Sequence, residues 1–499
     1  MNAQLFQIQE GVTCLLLSAT ATAAEATDAT ATTAAGAATS PNNTHTIFLI
    51  DKSGSMSADD KLLSVQQTLE CLLGMMKERD EFSLISFETE ARVELARVAM
   101  TPDNRDIVRT RINSLKADGS TNMVAALSYV NDVVYPADTT HLKQGVLLLT
   151  DGHSNIGTTE DLLRRLQGLR TTYPSLSFAT VGYGINHNAA LLGSMATEGA
   201  GSYNVVRGLE DVATVFGDVF GGLKTVAYEQ VRMSVPPHVR QRSAYAIHAL
   251  PDGRSDILVG DHQAGASSVC VVLEGLTAAD RLDVRGTDVA TGLPITLTPV
   301  LATEVPEDIL VQGRLAFTKS RVVTFMNDVN AFLMGPGGIP DQTALTGRAV
   351  ALRAEVTALH TTPLRDLLLR ELQRCETYLA TGALSPPRLT HQRSNELSQH
   401  AATIGLGRGI LSSRHGEDPD DDDDEDPNVS VFSNPYQRSA SEGLRNTTAT
   451  TPYHAQQAAH QAQAPPLTPF PFLNVTQHPV TPPRPLQAPA LTRSRSNPF

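Results

Sequence analysis

Between His45 and about Leu223, short apolar runs alternate with stretches of helical length, and this rhythm limits the fold more than any other feature of the chain. The runs are HTIFLI (45–50), EFSLISF (81–87), KQGVLLLT (143–150), LSFATVGYG (176–184) and SYNVV (202–206). Between them lie KLLSVQQTLECLLGMMK, DNRDIVRTRINSL, MVAALSYVNDVV, TEDLLRRLQGL and LEDVATVFGDVFGGL. Strands that are apolar almost throughout need cover on both faces, and helical crossovers supply it. The expected fold class is α/β, a doubly wound, mostly parallel sheet of Rossmann-like kind. ARVELARVAM (91–100) instead alternates in period two and reads as an antiparallel edge strand beside its hairpin partner at 81–87. The chain has no Trp and only 5% aromatic residues, so its core must rest on Leu, Val, Ile and Ala.

Ligands of such sheets bind outside the carboxyl ends of the strands, where the strand order reverses. Three loops fall there. The first is Asp51-Lys52-Ser53-Gly54-Ser55-Met56, the second Asp118-Gly119-Ser120-Thr121-Asn122, and the third Thr150-Asp151-Gly152. Together they offer hydroxyls from Ser53, Ser55 and Thr121 and carboxylates from Asp51 and Asp151. These hard oxygen donors suit Mg²⁺, Mn²⁺ or Ca²⁺ and not soft metals. If the carboxylates act through water, such a site keeps an open position and residual positive charge, which a carboxylate from another protein would fill. Gly54 and Gly152 suit loops that approach the ion closely. Lys52 is the one cation this reading places near the site, and its side chain is expected to point away.

DKSGSM, then the G-S-T-N loop, then T-D-G, resemble in order and spacing the metal-ion-dependent adhesion site of von Willebrand factor A domains, over about residues 45–223. The resemblance implies that Asp51, Ser53, Ser55, Thr121 and Asp151 are the metal ligands. It also implies a six-stranded sheet between helices, and a protein ligand that supplies an acidic residue to the metal. The expected function is divalent-metal-dependent protein binding and scaffolding, without catalysis. The wider layout resembles intracellular A-domain proteins, some of which act in ubiquitin transfer, so a non-catalytic component of a ubiquitin-ligase assembly is an alternative. A Mg²⁺-dependent hydrolase is a further one; it would need a general base, for which His153 is the nearby candidate.

Outside residues 45–223 the rhythm changes. Residues 1–44 read as an N-terminal strand and an Ala/Thr-rich linker. Residues 224–335 carry YEQVRMSV, SDILVGD, SSVCVVLEGL, LDVRGTDV, PITLTPVLA and QGRLAFTKSRVVTFM, which read as strands of a small β-sandwich, joined by residues 8–18. Residues 341–381 read as a helical hairpin, with Pro363 opening its second helix. From 384 to 499 the chain is rich in Pro, Ser, Gln, Thr and Asp and reads as a disordered tail. That tail holds the acidic run GEDPDDDDDED (416–426), a P-x-x-P stretch at 481–489 suited to an SH3-like partner, and a terminal Asn497-Pro498-Phe499 of the kind read by EH domains. Gly405 to Gly409 reads as a flexible turn.

Net charge is −14, much of it in the acidic run, and no basic patch of the kind nucleic acid demands is present. Four cysteines, Cys14, Cys71, Cys270 and Cys375, show no CxxC spacing, which argues against a zinc ribbon or a disulfide framework. Widely spaced thiols favour a reducing compartment, so the location is read as cytoplasmic, with secretion as the alternative. Residues 12–24 end like a secretory leader, but no Lys or Arg precedes them, and a strand at 12–17 is the competing reading. An apolar run of about 18 residues is lacking, so a membrane span is not expected.

Overall fold

The computed structural model describes residues 1–19, 42–136, 142–151, 154–184, 187–207, 209–265, 268–335, 341–381, 387–408 and 431–449. The chain opens with a hairpin, β1 (Asn2–Gln9) and β2 (Val12–Ser18). The alternating segment then gives β3 (Thr44–Asp51), α1 (Lys61–Met75), β4 (Glu81–Phe87), β5 (Ala91–Ala99), α2 (Pro102–Asn113), α3 (Met123–Val133), β6 (Lys143–Thr150), α4 (Thr159–Thr172), β7 (Ser177–Tyr183), α5 (Ala189–Glu198), β8 (Ala200–Val206) and α6 (Leu209–Lys224). Its sheet has the order β5-β4-β3-β6-β7-β8, parallel except for the antiparallel edge strand β5. Successive side chains of a strand point to opposite faces, and β3 shows the consequence. Phe48 and Ile50 pack in one buried cluster with Val65 and Leu69 of α1 and Phe216 of α6. Ile47 and Leu49 pack in the other, with Leu127 of α3, Leu166 of α4 and Leu192 of α5. The chain order reverses at β3, whose neighbours are β4 on one side and β6 on the other.

Past Thr225 come β9 (Val226–Val235), β10 (Arg240–Gln241), β11 (Ala246–Ala249), β12 (Ser255–Gln263), β13 (Val269–Glu274), β14 (Asp283–Asp288) and β15 (Pro294–Leu297). They form a five-stranded sheet, β11-β12-β9-β14-β15, and a four-stranded one, β1-β2-β13-β10. The strand read at 12–17 is β2, held between β1 and β13. Leu15, Leu17, Val271 and Leu273 of one sheet share a buried cluster with Val231, Met233, Ile257 and Val284 of the other, so the sheets pack as a sandwich.

The opposite face of the smaller sheet explains one departure from the sequence reading. Residues 312–326, read as a strand, lie inside a 28-residue helix, α7 (Glu307–Met334). Its β-branched residues suggest a strand. However, it is buried on two sides, which blurs the helical period that a one-sided helix would show. Ile309 and Leu310 cover Phe6, Cys14 and Leu16 of the hairpin, while Val322, Met326, Val329 and Leu333 join a bundle with α8 (Gln342–Thr357) and α9 (Pro363–Thr381).

Two parts of the segment read as a disordered tail are helices packed on this core: α10 (Pro387–Leu406) and α11 (Pro435–Ala449). Leu397, Ala401 and Ile404 of α10 complete the bundle. Residues 405–409, read as a flexible turn, begin inside α10; Gly407 at φ +65° ends that helix, its N–H bonded to the Thr403 carbonyl at 3.0 Å. The acidic run 416–426, the Pro-rich stretch 481–489 and Asn497-Pro498-Phe499 lie outside the described residues. Among the described residues no helix is long and apolar enough to cross a membrane.

Candidate metal centre

Asp51 is the last residue of β3, and Thr150, the last residue of β6, stands beside it in the parallel register. The Thr150 hydroxyl donates to Asp51 Oδ2 at 2.6 Å. The other Asp51 oxygen accepts the Ser53 backbone N–H at 2.8 Å, which turns the chain out of the strand. A short 3-10 helix, Gly54–Asp60, then carries Ser55 over the sheet edge and delivers the chain to α1.

Backbone hydrogen bonds join the three loops. Gly54 N donates to the Gly119 carbonyl at 3.0 Å, and Asp118 N to the Lys52 carbonyl at 2.7 Å. Asn155 N donates to the Thr121 carbonyl at 2.8 Å, tying the third loop to the second. Asn122 N bonds the Glu88 carbonyl at 2.8 Å, and the Asn122 side chain caps α3 by accepting from Ala125 N at 3.0 Å.

The side chains follow. Ser53 Oγ lies 3.1 Å from Ser55 Oγ, and Ser55 Oγ donates to Asp151 Oδ1 at 2.8 Å. Asp51, Ser53, Ser55 and Asp151 are thus joined by one run of hydrogen bonds across two loops. Thr121 is buried on the adjoining loop, and its hydroxyl stands outside that run. Gly152 and His153, named from the sequence, lie outside the described residues. Burial pushes the Asp51 carboxyl above its ordinary value; the hydrogen bonds from Thr150 and Ser53 oppose this, and the negative charge of Asp151 adds to the rise.

Three features here were not read from the sequence. Lys52, expected to point away, pairs with Glu88 at 3.4 Å. It is not the cation of the site: Lys61 is, its Nζ donating to Asp151 Oδ2 at 2.5 Å. Thr150 supplies a hydroxyl to Asp51. The glycine with a conformational duty is Gly119, at φ +73°, where a Cβ would stand 2.3 Å from the Glu88 carboxylate. A Cβ on Gly54 would meet ordinary contact at 3.4 Å. Lys61 carries no local sequence signal; Thr150 and Gly119 lie within the quoted motifs, but what each one touches depends on which loops meet.

The donor set fits a hard divalent ion. Ser55 gives its proton to Asp151 and receives that of Ser53, which leaves it a lone pair, and the buried carboxylates of Asp51 and Asp151 stand at the ends of neighbouring strands. Among the described residues no three His, Cys, Asp or Glu side chains gather as metal ligands; this site brings two carboxylates and otherwise hydroxyls.

Residues 46–216 match the von Willebrand factor type A domain, and the chain carries such a domain over that range. The uncharacterized protein YfbK of Escherichia coli is 28% identical over 177 residues, 34% of this chain and 30% of its own length. Inter-alpha-trypsin inhibitor heavy chain H4 of Homo sapiens is 29% identical over 175 residues, 33% of this chain and 18% of its own. The chain thus spans less than a third of these relatives. In three dimensions it resembles a von Willebrand factor type A protein from Catenulispora acidiphila, with a TM-score of 0.54 and 16% identity over 78% of this chain and 91% of that one. That likeness shows a shared fold reaching beyond the A domain.

Proposed function

We propose that the chain is a non-catalytic binding and scaffolding protein that captures an acidic residue of a protein partner through a divalent ion. Ser53, Ser55 and Thr121 would hold the ion by their hydroxyls, with Asp51 and Asp151 behind them. The observation that supports this most directly is the Ser53–Ser55–Asp151 run of hydrogen bonds, which gathers ligands from two loops at the strand-order reversal. When bound, the ion supplies an electropositive point to which a carboxylate can add. The A domain family supports the same reading, since its members are typically metal-dependent protein-interaction modules. Mg²⁺ is the ion we favour, with Mn²⁺ or Ca²⁺ as alternatives of the same donor preference.

The test uses the full chain. Calorimetry with Mg²⁺ or Mn²⁺ should show one ion bound, and Asp51→Ala or Thr121→Ala should remove that heat without loss of the circular dichroism spectrum. Peptides displayed on phage and selected on the Mg²⁺-loaded chain should share an Asp or Glu and be released by EDTA. Equal retention in EDTA would remove the ion from the binding mechanism.

A further inference from the structure

The first residue of α1 is out of keeping with its position. A helix N-terminus carries partial positive charge and favours acidic side chains, yet α1 begins with Lys61. The preceding Asp60 is left-handed, φ 52°, and its side chain makes no capping hydrogen bond. Local rules therefore give Lys61 no reason to be there. Its contact does: Nζ reaches Asp151 Oδ2 at 2.5 Å. Asp151 is almost sealed, its side chain 1% exposed, whereas the Lys61 side chain is 21% exposed and has solvent to retreat to. The other Asp151 oxygen already accepts the Ser55 hydroxyl, so Lys61 takes what remains of this carboxylate. Lys52 plays no such part, since Glu88 holds it.

We infer that Lys61 is an internal competitor of the divalent ion, its ammonium satisfying Asp151 in the ion-free chain and yielding that carboxylate when an ion binds. The inference rests on the reading that these loops hold an ion. Its chemistry is charge balance. Asp51 and Asp151 bring two negative charges to adjoining buried positions, and Lys61 offsets one of them. A divalent cation beside Asp151 then meets a cation already in place, and like charges at such range repel. Lys61 thereby keeps the loops assembled without the ion and weakens the site for it, so that occupancy responds to the ion's concentration.

The experiment is calorimetric titration of the full chain with MgCl₂ and MnCl₂ after chelator treatment, for wild type, K61M and K61R. K61M keeps the aliphatic stem and loses the charge. It should bind roughly tenfold more tightly, at the low end of the 10–100-fold by which groups behind the ligands alter metal affinity. K61R should stay near wild type. In the wild-type chain, acetylation of Lys61 by an amine-reactive reagent, read by mass spectrometry, should rise when Mg²⁺ saturates the site. Equal or weaker binding by K61M overturns the inference while leaving the ion in place. Should K61M fail to fold, Lys61 acetylation that is indifferent to Mg²⁺ overturns it instead. Heat from no chain removes the metal reading itself, and this inference with it.

Discussion

A buried carboxylate must be matched by hydrogen bonds or charge, because burial penalises its ionised form. Asp51 is matched by Thr150 and Ser53, and Asp151 by Ser55 and Lys61. The ligand candidates were legible in the sequence because each lies in a short contiguous motif at the end of an apolar run. Lys61 was not, nor was the contact of Thr150 with Asp51, since both come from segments meeting across 90 and 99 positions of chain. Gly119 belongs to the same group. Its left-handed backbone, φ +73°, strains any residue with a Cβ, and the Glu88 side chain would have to swing aside, so Gly119→Ala should lower stability by about 1–3 kcal/mol. It should also weaken ion binding by shifting Thr121. Gly54→Ala, with ordinary room around its Cβ, should be mild by comparison. Urea denaturation of the two variants measures the contrast, and matching midpoints would show that the second loop tolerates the strain.

At the scale of elements, what could be read was set by how many sides of an element are buried. The central strands of the A domain announce themselves as unbroken apolar runs, and β5 as an edge by its alternation. Helix α7 gives no such signal because it serves the sandwich on one side and the bundle on the other. Helix α10 is obscured for a different reason: part of its buried face is polar. His400 Nδ1 lies 3.0 Å from both oxygens of Glu371 on α9, and Arg374 bonds the same carboxylate. Burial alone would raise the Glu371 carboxyl, but the charges of His400 and Arg374 override it and hold the group at about 2. A folded value below the ordinary 4.5 means stability that is present above pH 4.5 and lost as the pH falls toward 2. The loss amounts to about 3 kcal/mol. Glu371→Gln should therefore cost about 3 kcal/mol at pH 7, by removing the ionised carboxylate that faces Arg374 and His400 while Arg374 keeps only Glu396. That deficit should shrink as wild type and variant are compared at falling pH. A deficit that stays constant down to pH 3 would rule out the ionised carboxylate as its source.

In the whole molecule the A domain is not a bead on a string. Lys143, at the start of β6, is buried between Glu229 and Asp261 of the sandwich, 3.0 Å from each. Arg408, just past α10, donates to the carbonyls of Ala200, Val259 and Asp261. A fragment cut near residue 225 would strip Lys143 of both carboxylates, so the A domain is at its native stability only in the full chain. The least expected attachment is α11, a segment with few large apolar residues. It docks through closeness instead: a Cβ on Gly217 of α6 would stand 2.4 Å from the Ser441 Cα, and Ser441 Oγ donates to the Thr214 carbonyl at 3.1 Å. Asn434 caps α11 by accepting from Gln437 N at 2.9 Å, while Gln437 Nε2 donates to the Asp218 carbonyl at 2.9 Å. Backbone proximity and buried hydrogen bonds replace the apolar stripe on which sequence reading depends. This yields a prediction whose sign opposes helix propensity. Glycine within a helix is worse than alanine by about 0.5–1 kcal/mol, so Gly→Ala should stabilise wherever the new methyl has room. Gly347 of α8 is such a place, exposed and with nothing within 4 Å of its Cβ. Gly217 is the reverse, because its neighbour there is backbone and cannot swing aside. Gly347→Ala should raise the melting temperature, and Gly217→Ala should lower it and open residues 431–449 to limited proteolysis. If Gly217→Ala instead stabilises the chain and leaves that segment protected, α11 does not hold to α6 by the close approach described here.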